Sequence, residues 1–255
     1  MKGHFGHLVF IFLFSAQAVA EEQEVIEIAA IDWCPQLCPA HTNPGYITEL
    51  VEQIYGSTNY HLNIKTYPWS RALSMVRKGE VDAVLSPARA EAPDLMYPHY
   101  EVGVQRMCFF TLASNSWEYD GVSSLAGLQF GVASDTSLEE LNDYTALNPQ
   151  QFQFQPYHER YILQQAEKLK KGRIDAFLFT YNSTRYTLQQ ADQWSGFRSA
   201  GCVSNAKVYM AFTPSEGLQA KIRQMMDAFD QGMKQLEREA KPPLIMQRYG
   251  LEYWK

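Results

Sequence analysis

No two of the four cysteines stand at Cys-x-x-Cys spacing, so the chain lacks the ligand pattern of a structural zinc site. The six histidines are scattered and form no nucleophile–base arrangement. Bases are outnumbered, 22 against 28 acids. An acidic surface attracts neither nucleic acid nor anionic lipid, so neither is expected as a partner. Beyond residue 20 no apolar run is long enough to cross a bilayer. No cofactor, metal ligand or catalytic residue is therefore expected.

What is present begins with an export signal. Lys2, the apolar run Leu8 to Phe14 and the small-residue site Ala18-Val19-Ala20 predict a signal peptide cut after Ala20. No cysteine follows the site to take a lipid, and the run is too short to span a membrane. Cleavage removes one lysine and no acid, which leaves 21 bases against 28 acids and a charge of −7. The remaining chain is large enough to bury a sizeable core, in one large domain or two small ones. Cysteines in an exported chain are more often paired than free. Cys34 and Cys38 are close enough to close a tight loop, and Cys108 and Cys202 would then form the second bridge.

The most informative stretch is Ser70 to Ser86. Ala72, Leu73 and Val76 recur at helical spacing, Lys78-Gly79 stops the helix, and Val81-Asp82-Ala83-Val84-Leu85 reads as a buried strand. The same pattern returns with Ile162, Leu163, Ala166 and Leu169, then Lys171-Gly172, then Ile174 to Phe179. Lys-Gly-x-(Val/Ile)-Asp-Ala-x-Leu thus occurs twice, 93 residues apart, which suggests two α/β lobes built alike. Asp82 and Asp175 superficially resemble a catalytic carboxylate pair. Each sits at the start of its strand, however, so a structural role at the turn is expected.

Strands are expected at 24–30, 61–67, 81–85, 102–112, 128–133, 152–157, 174–179 and 203–212. Helices are expected at 46–54, from Ser70, from Ser137 to about Ala146, over the second repeat, at 181–193 and from Ser215 to about Ala240. Pro242-Pro243 is expected to stop the last of these. Strands alternating with helices favour an α/β architecture with mainly parallel sheets. The long segments near 105 and 207 would be the only crossings between lobes.

Four pieces carry a resemblance: Pro68-Trp69-Ser70-Arg71-Ala72-Leu73, Lys78-Gly79-Glu80-Val81-Asp82-Ala83, Leu125 to Val132, and Gly172-Arg173-Ile174-Asp175-Ala176. Their order and spacing resemble the family 3 periplasmic solute-binding proteins, the amino-acid-type binding components of ATP-driven importers. The resemblance implies a type II periplasmic-binding-protein-like fold, with two α/β lobes, two hinge crossings and a cleft for a small molecule. Lobe 1 is then 21–107 with 208–255, and lobe 2 is 108–207. It also implies a periplasmic monomer that serves a membrane permease.

In open α/β sheets the ligand lies beyond the carboxyl ends of the strands. Asp32, Trp33, Tyr67, Trp69, Ser86 and Arg89 from the first lobe are candidate ligand contacts there. Ser134, Thr136, Ser137, Thr180 and Tyr181 come from the second. Ser134 to Ser137 would offer free N–H groups at a helix start to an anion, or merely cap the helix. Trp33, Tyr67, Trp69 and Tyr181 could form aromatic walls, with Trp69 alternatively packing under its own helix.

Proteins of the resembled family often clamp an α-carboxylate with an arginine shortly after the third strand, a task that suits a bidentate guanidinium. Arg89 stands somewhat earlier than that place, and Ala92 falls nearer to it. The same family commonly carries an aspartate for the ligand's ammonium where this chain has Thr180. The expected ligand is therefore small, polar and carboxylate-bearing, an amino acid or a relative. Two further functions are kept beside the carrier. One is an enzyme similar to exported cyclohexadienyl dehydratases, which would need a general acid such as Glu91 or Asp32. The other is a ligand-sensing partner of a membrane receptor.

Overall fold

A computed structural model describes residues 23–39, 41–134 and 138–255. The expected signal peptide lies outside the described residues. The strands are β1 Glu24–Ala30, β2 Tyr60–Thr66, β3 Ala83–Ala88, β4 Gly103–Leu112, β5 Phe130–Ala133, β6 Phe152–Gln155, β7 Ala176–Thr180 and β8 Phe197–Phe212. The helices are α1 Tyr46–Tyr55, α2 Trp69–Lys78, α3 Asn142–Leu147, α4 Tyr161–Lys170, α5 Tyr181–Gln190, α6 Gln219–Arg238 and α7 Lys241–Arg248.

The strand order is β2-β1-β3-β8-β4-β7-β5-β6. Within each lobe the strands run parallel: β1 beside β2 and β3, and β5 beside β6 and β7. The middle is antiparallel. β8 pairs with β3 through its last residues and with β4 along most of its length, and β4 pairs in turn with β7. β4 and β8 therefore pass through both lobes and form the hinge. Cys108 and Cys202 face each other across this pair and are joined by a disulfide.

Strand periodicity places the cores. Ile26, Ile28 and Ala30 face α1, α6 and α7, whereas Ala29 between them faces α2 with Ala72, Val76 and Val84. In the second lobe Phe130, Val132 and Phe152 share one face with Phe109. The other face packs Phe110, Phe177 and Phe179 against Tyr161 and Ala166 of α4.

Both repeats form helix, glycine turn and strand. Gly79 and Gly172 sit at φ 71° and 62°, a region open to glycine and strained for residues with a Cβ. Their N–H groups donate to Val76 O and Leu169 O. Each repeat's aspartate then brackets the neighbouring parallel strand. Asp82 N donates to Glu27 O at 2.9 Å while its carboxylate accepts Glu27 N at 2.9 Å. Asp175 N donates to Gln129 O at 2.8 Å while its carboxylate accepts Gln129 N at 2.8 Å. Lys221 of α6 adds a contact to Asp82 at 3.1 Å. These two acids fix strand register, as a structural role requires.

Several boundaries differ from expectation: β8 begins at Phe197 rather than 203, β3 runs over Ala83–Ala88 rather than 81–85, and two helix boundaries move for identifiable reasons. The helix expected from Ser137 begins at Asn142, after a 3-10 turn at Glu139–Leu141, and Leu138 N donates to Asn142 Oδ1. Pro242-Pro243 do not simply stop a helix. Ala240 takes the left-handed conformation that ends α6, and the prolines occupy the first turn of α7, where a missing N–H has no partner to lose.

Behind the hinge the chain end returns to the start of β4. Glu101 is buried, and its carboxylate accepts Trp254 Nε1 at 3.1 Å and Lys207 Nζ at 3.3 Å. Burial alone would push its pKa up. Its own backbone N–H, Trp254, Lys255 and Lys207 outweigh that and hold it below the ordinary value.

The bracket is testable. Asp82→Ala removes a charge-assisted hydrogen bond and leaves Glu27 N unpaired, so it should cost about 1.5–3 kcal/mol. Urea unfolding of the variant measures this, and a loss below about 0.5 kcal/mol, ordinary for a surface change, would show the bracket to be dispensable.

Candidate functional site

The loop after β1 is a closed unit. Trp33 N donates to Leu37 O at 2.9 Å, Gln36 N and Leu37 N both donate to Trp33 O, and Cys34 is disulfide-bonded to Cys38. Helix α1 has no side-chain cap at its start. The loop supplies one from its backbone, since Pro35 O and Gln36 O accept Tyr46 N and Ile47 N at 3.0 Å each. Gly45 makes this approach feasible: it sits at φ 101°, and a Cβ there would lie 2.4 Å from Gln36 O.

This docked loop aims two side chains at the other lobe. Trp33 Nε1 donates to Thr180 Oγ1 at 3.4 Å, and Gln36 Nε2 donates to Ser183 Oγ at 3.2 Å. Thr180 is the last residue of β7, and Ser183 lies in the first turn of α5. The carboxyl ends of β1 and β7 thus face each other across the cleft. Trp33, Gln36, Thr180 and Ser183 are all buried there.

Among the described residues, Gln36 Oε1 and Thr184 Oγ1 at this seam and Ser86 Oγ in β3 are buried without a partner. Tyr46 has its pKa raised by burial, against the opposing influence of Asn182 and Arg106, which places those two groups beside it. Arg106 of β4 lies over the Tyr181 ring at 4.2 Å. Ser86, at the carboxyl end of β3, has φ 75° at a register shift between Leu85 and Ala88. A buried serine in the left-handed region with an idle hydroxyl is strain of the kind that collects at binding sites.

The remaining expected contacts are placed as follows. Asp32 is exposed at the rim; burial raises its pKa, His41 lowers it and Glu159 from the second lobe raises it. Tyr67 and Trp69 are half-buried and pack against the cluster around Ala72 and Val76, with the Arg71 guanidinium 5.3 Å from the Tyr67 ring. Arg89 lies between the rings of Tyr97 and Tyr209, 4.6 Å from each, and donates to Pro98 O at 3.1 Å. Tyr181 packs beside Phe110 and Trp194. Ser134 is exposed and its N–H donates to Gln155 O. Thr136 and Ser137 lie outside the described residues.

The structure thus brings Trp33 and Thr180 together, with Asn182 of the expected stretch Thr180 to Asn182 beside Tyr46, and adds Gln36, Tyr46, Arg106 and Ser183, none of which stood out in the sequence. One signal for Gln36 was present, because it lies inside the Cys34–Cys38 loop at a strand's carboxyl end. Ser183 follows Thr180 by three residues, which puts both on one side of the α5 start.

No protein-family profile and no curated protein matches the chain. Solved structures match its fold. One comes from the structural basis of glutathione import via GshT and the cystine ABC importer TcyBC of Streptococcus mutans, at TM-score 0.71 and 12% identity, covering 91% of this chain and 97% of that one. Another is an ABC uptake transporter substrate binding protein from Streptococcus pneumoniae with bound histidine, at TM-score 0.66 and 14% identity, covering 91% and 95%. A third is a histidine kinase sensor domain with similarity to periplasmic binding proteins, at TM-score 0.66 and 16% identity, covering 91% and 99%. The chain has the two-lobed periplasmic-binding-protein-like fold.

The rim yields a pH prediction. Asp32 has a raised pKa in the folded state, so its protonated form is favoured there. Its contribution is complete below the ordinary value of 3.8 and is lost as pH rises through the raised value. Asp32→Asn should therefore melt about 1–2 °C above the parent at pH 7, the small size expected of a screened charge. The two proteins should converge toward pH 4. A constant difference across that range would remove Asp32 as the titrating group.

Proposed function

We propose that this chain is an exported, non-enzymatic binding protein that captures a small carboxylate-bearing solute between its lobes and presents it to a membrane importer. The observation that carries the reading is the cross-lobe seam. Trp33 meets Thr180 and Gln36 meets Ser183, while Gln36 Oε1 and Thr184 Oγ1 beside them have no partner among the described residues. Buried polar groups without partners are costly, and a polar ligand at the seam would satisfy them.

Arg106, beside Tyr46 and over the Tyr181 ring, favours an anionic group at the seam. Arg89, stacked between Tyr97 and Tyr209 after β3, is the first lobe's candidate cation. Thr180 is neutral where a carboxylate would be needed to hold an ammonium. The ligand in this reading is an amino acid gripped chiefly through its carboxylate, or a related acid without the ammonium. The two lobes are taken as 21–107 with 208–255, and 108–207, moving as rigid bodies about β4 and β8 in a periplasmic monomer.

Thermal-shift screening of purified 21–255 against amino acids and small organic acids should find a stabilising carboxylate, since a ligand specific for the folded state raises the melting temperature. Arg89 is exposed in this structure, so titration calorimetry on Arg89→Ala separates two cases: a loss of about 2–5 kcal/mol where the ligand desolvates the pair, and about 0–1 kcal/mol for a screened contact at the rim. Parent-like affinity in Arg89→Ala would remove it from the grip. Turnover of prephenate or arogenate by the same preparation would replace the carrier with an enzyme.

A further inference from the structure

The second lobe carries a cationic groove that the cleft does not use. A hollow of about 290 Å³ lies between α4 and the edge strand β6, bordered by Arg160, Lys168, Lys171 and Arg173 with Gln155 and Gln164. Positions 160, 164, 168 and 171 repeat at helical spacing, so they form a stripe along the flank of α4. None of the four cations lies within ion-pair distance of a carboxylate among the described residues. The one acid bordering the hollow, Glu167, is bonded to Lys170 at 3.0 Å. Burial and the nearby Arg173 push Lys168 below the ordinary lysine value. Four unpaired cations converge here on a chain whose formal charge is −6.

The adjoining strand supplies the second half of the observation. β6 is the last strand of the sheet and pairs only with β5. Gln155 O accepts Ser134 N from the inner side. Alternation along a parallel strand then turns the backbone N–H and C=O of Phe154 outward, away from the sheet. The Phe154 side chain is 51% exposed, on the sheet face opposite α4. Phe152 N–H is taken up by Pro149 O, so among the described residues the edge presents the backbone N–H and C=O of Phe154, with cations on one face and an aromatic ring on the other.

We propose that β6 docks an extended acidic segment of a partner protein by strand addition. Its alternate residues would be Asp or Glu facing Lys168, Lys171 and Arg173, and the residues between them apolar against Phe154. A period of two places successive side chains on opposite faces, so one strand satisfies both halves at once. The inference is independent of what the cleft binds.

The probe is an acetylated octapeptide of strictly alternating glutamate and valine, titrated into purified 21–255 by calorimetry and by amide NMR. Saturable one-to-one binding is expected, with shifts centred on β6 and α4, weakening as salt rises. Lys168→Glu with Lys171→Glu should lower affinity at least tenfold, and Phe154→Ser should lower it by a similar factor, with thermal melting checking that each variant folds. Lys168→Gln with Lys171→Gln should give a smaller loss in the same direction. Equal binding by tripolyphosphate or by phosphatidylglycerol vesicles would overturn the proposal in favour of a simple anion surface. So would equal binding by a block peptide of the same composition, with all its glutamates preceding all its valines. Retained affinity in the double variant, or no saturable binding, would overturn it as well.

Discussion

The aspartate bracket is the contact on which the two parallel halves of the sheet depend. A parallel pair begins from a chain that has just left a helix, so nothing local sets which residue opposes which. Asp82 and Asp175 remove that freedom by exchanging two hydrogen bonds with one neighbouring residue, Glu27 within β1 in one lobe and Gln129 immediately before β5 in the other. The glycine turn just before each aspartate brings the chain round at the correct angle. With register set at the amino ends, the carboxyl ends of β1 and β7 arrive at a defined height. There Trp33 and Gln36 meet Thr180 and Ser183.

The hinge carries a different constraint. β4 and β8 pair along most of their length and are cross-linked by Cys108–Cys202, so the lobes share a continuous antiparallel ribbon. The chain end braces its start, with Trp254 and Lys207 on buried Glu101 and Arg185 of α5 in an ion pair with Glu252 at 3.3 Å. That last contact is exposed on the glutamate side and contributes little by itself. The loop closed by Cys34–Cys38 docks beside the same chain end, where Tyr46 lies 6.4 Å from the Trp254 ring and Gly45 N donates to Tyr249 Oη at 3.0 Å. By capping α1 with its own carbonyls it becomes rigid without a polar cap residue, and a rigid loop can hold a tryptophan and a glutamine in the cleft.

Where expectation and structure part, the reason is tertiary or chemical. Ser134 to Ser137 carries good capping chemistry, yet the chain makes a 3-10 turn first and starts α3 only at Asn142, because Leu138 and Leu141 are buried in the second-lobe core. Pro242-Pro243 reads equally well as an end or a beginning, and Ala240 in the left-handed region makes it a beginning. Gln36 and Tyr46 are invisible as site residues in sequence, since their role comes from the loop folding back on α1. Arg89, conspicuous as a lone arginine after β3, turns out to be stacked between two tyrosines more than a hundred residues apart.

The sequence by itself determined the alternation of strands and helices, the twofold repeat, the positions of the turn glycines and the compartment-consistent cysteines. These are local patterns of period two and 3.6, or single residues whose backbone demands are strict. The tertiary structure alone decided which side chains share the cleft, how the hinge strands pair, and which strand is left at the edge with cations beside it. Those features join residues as distant as Gln36 and Ser183, and no local preference fixes contacts across such a separation.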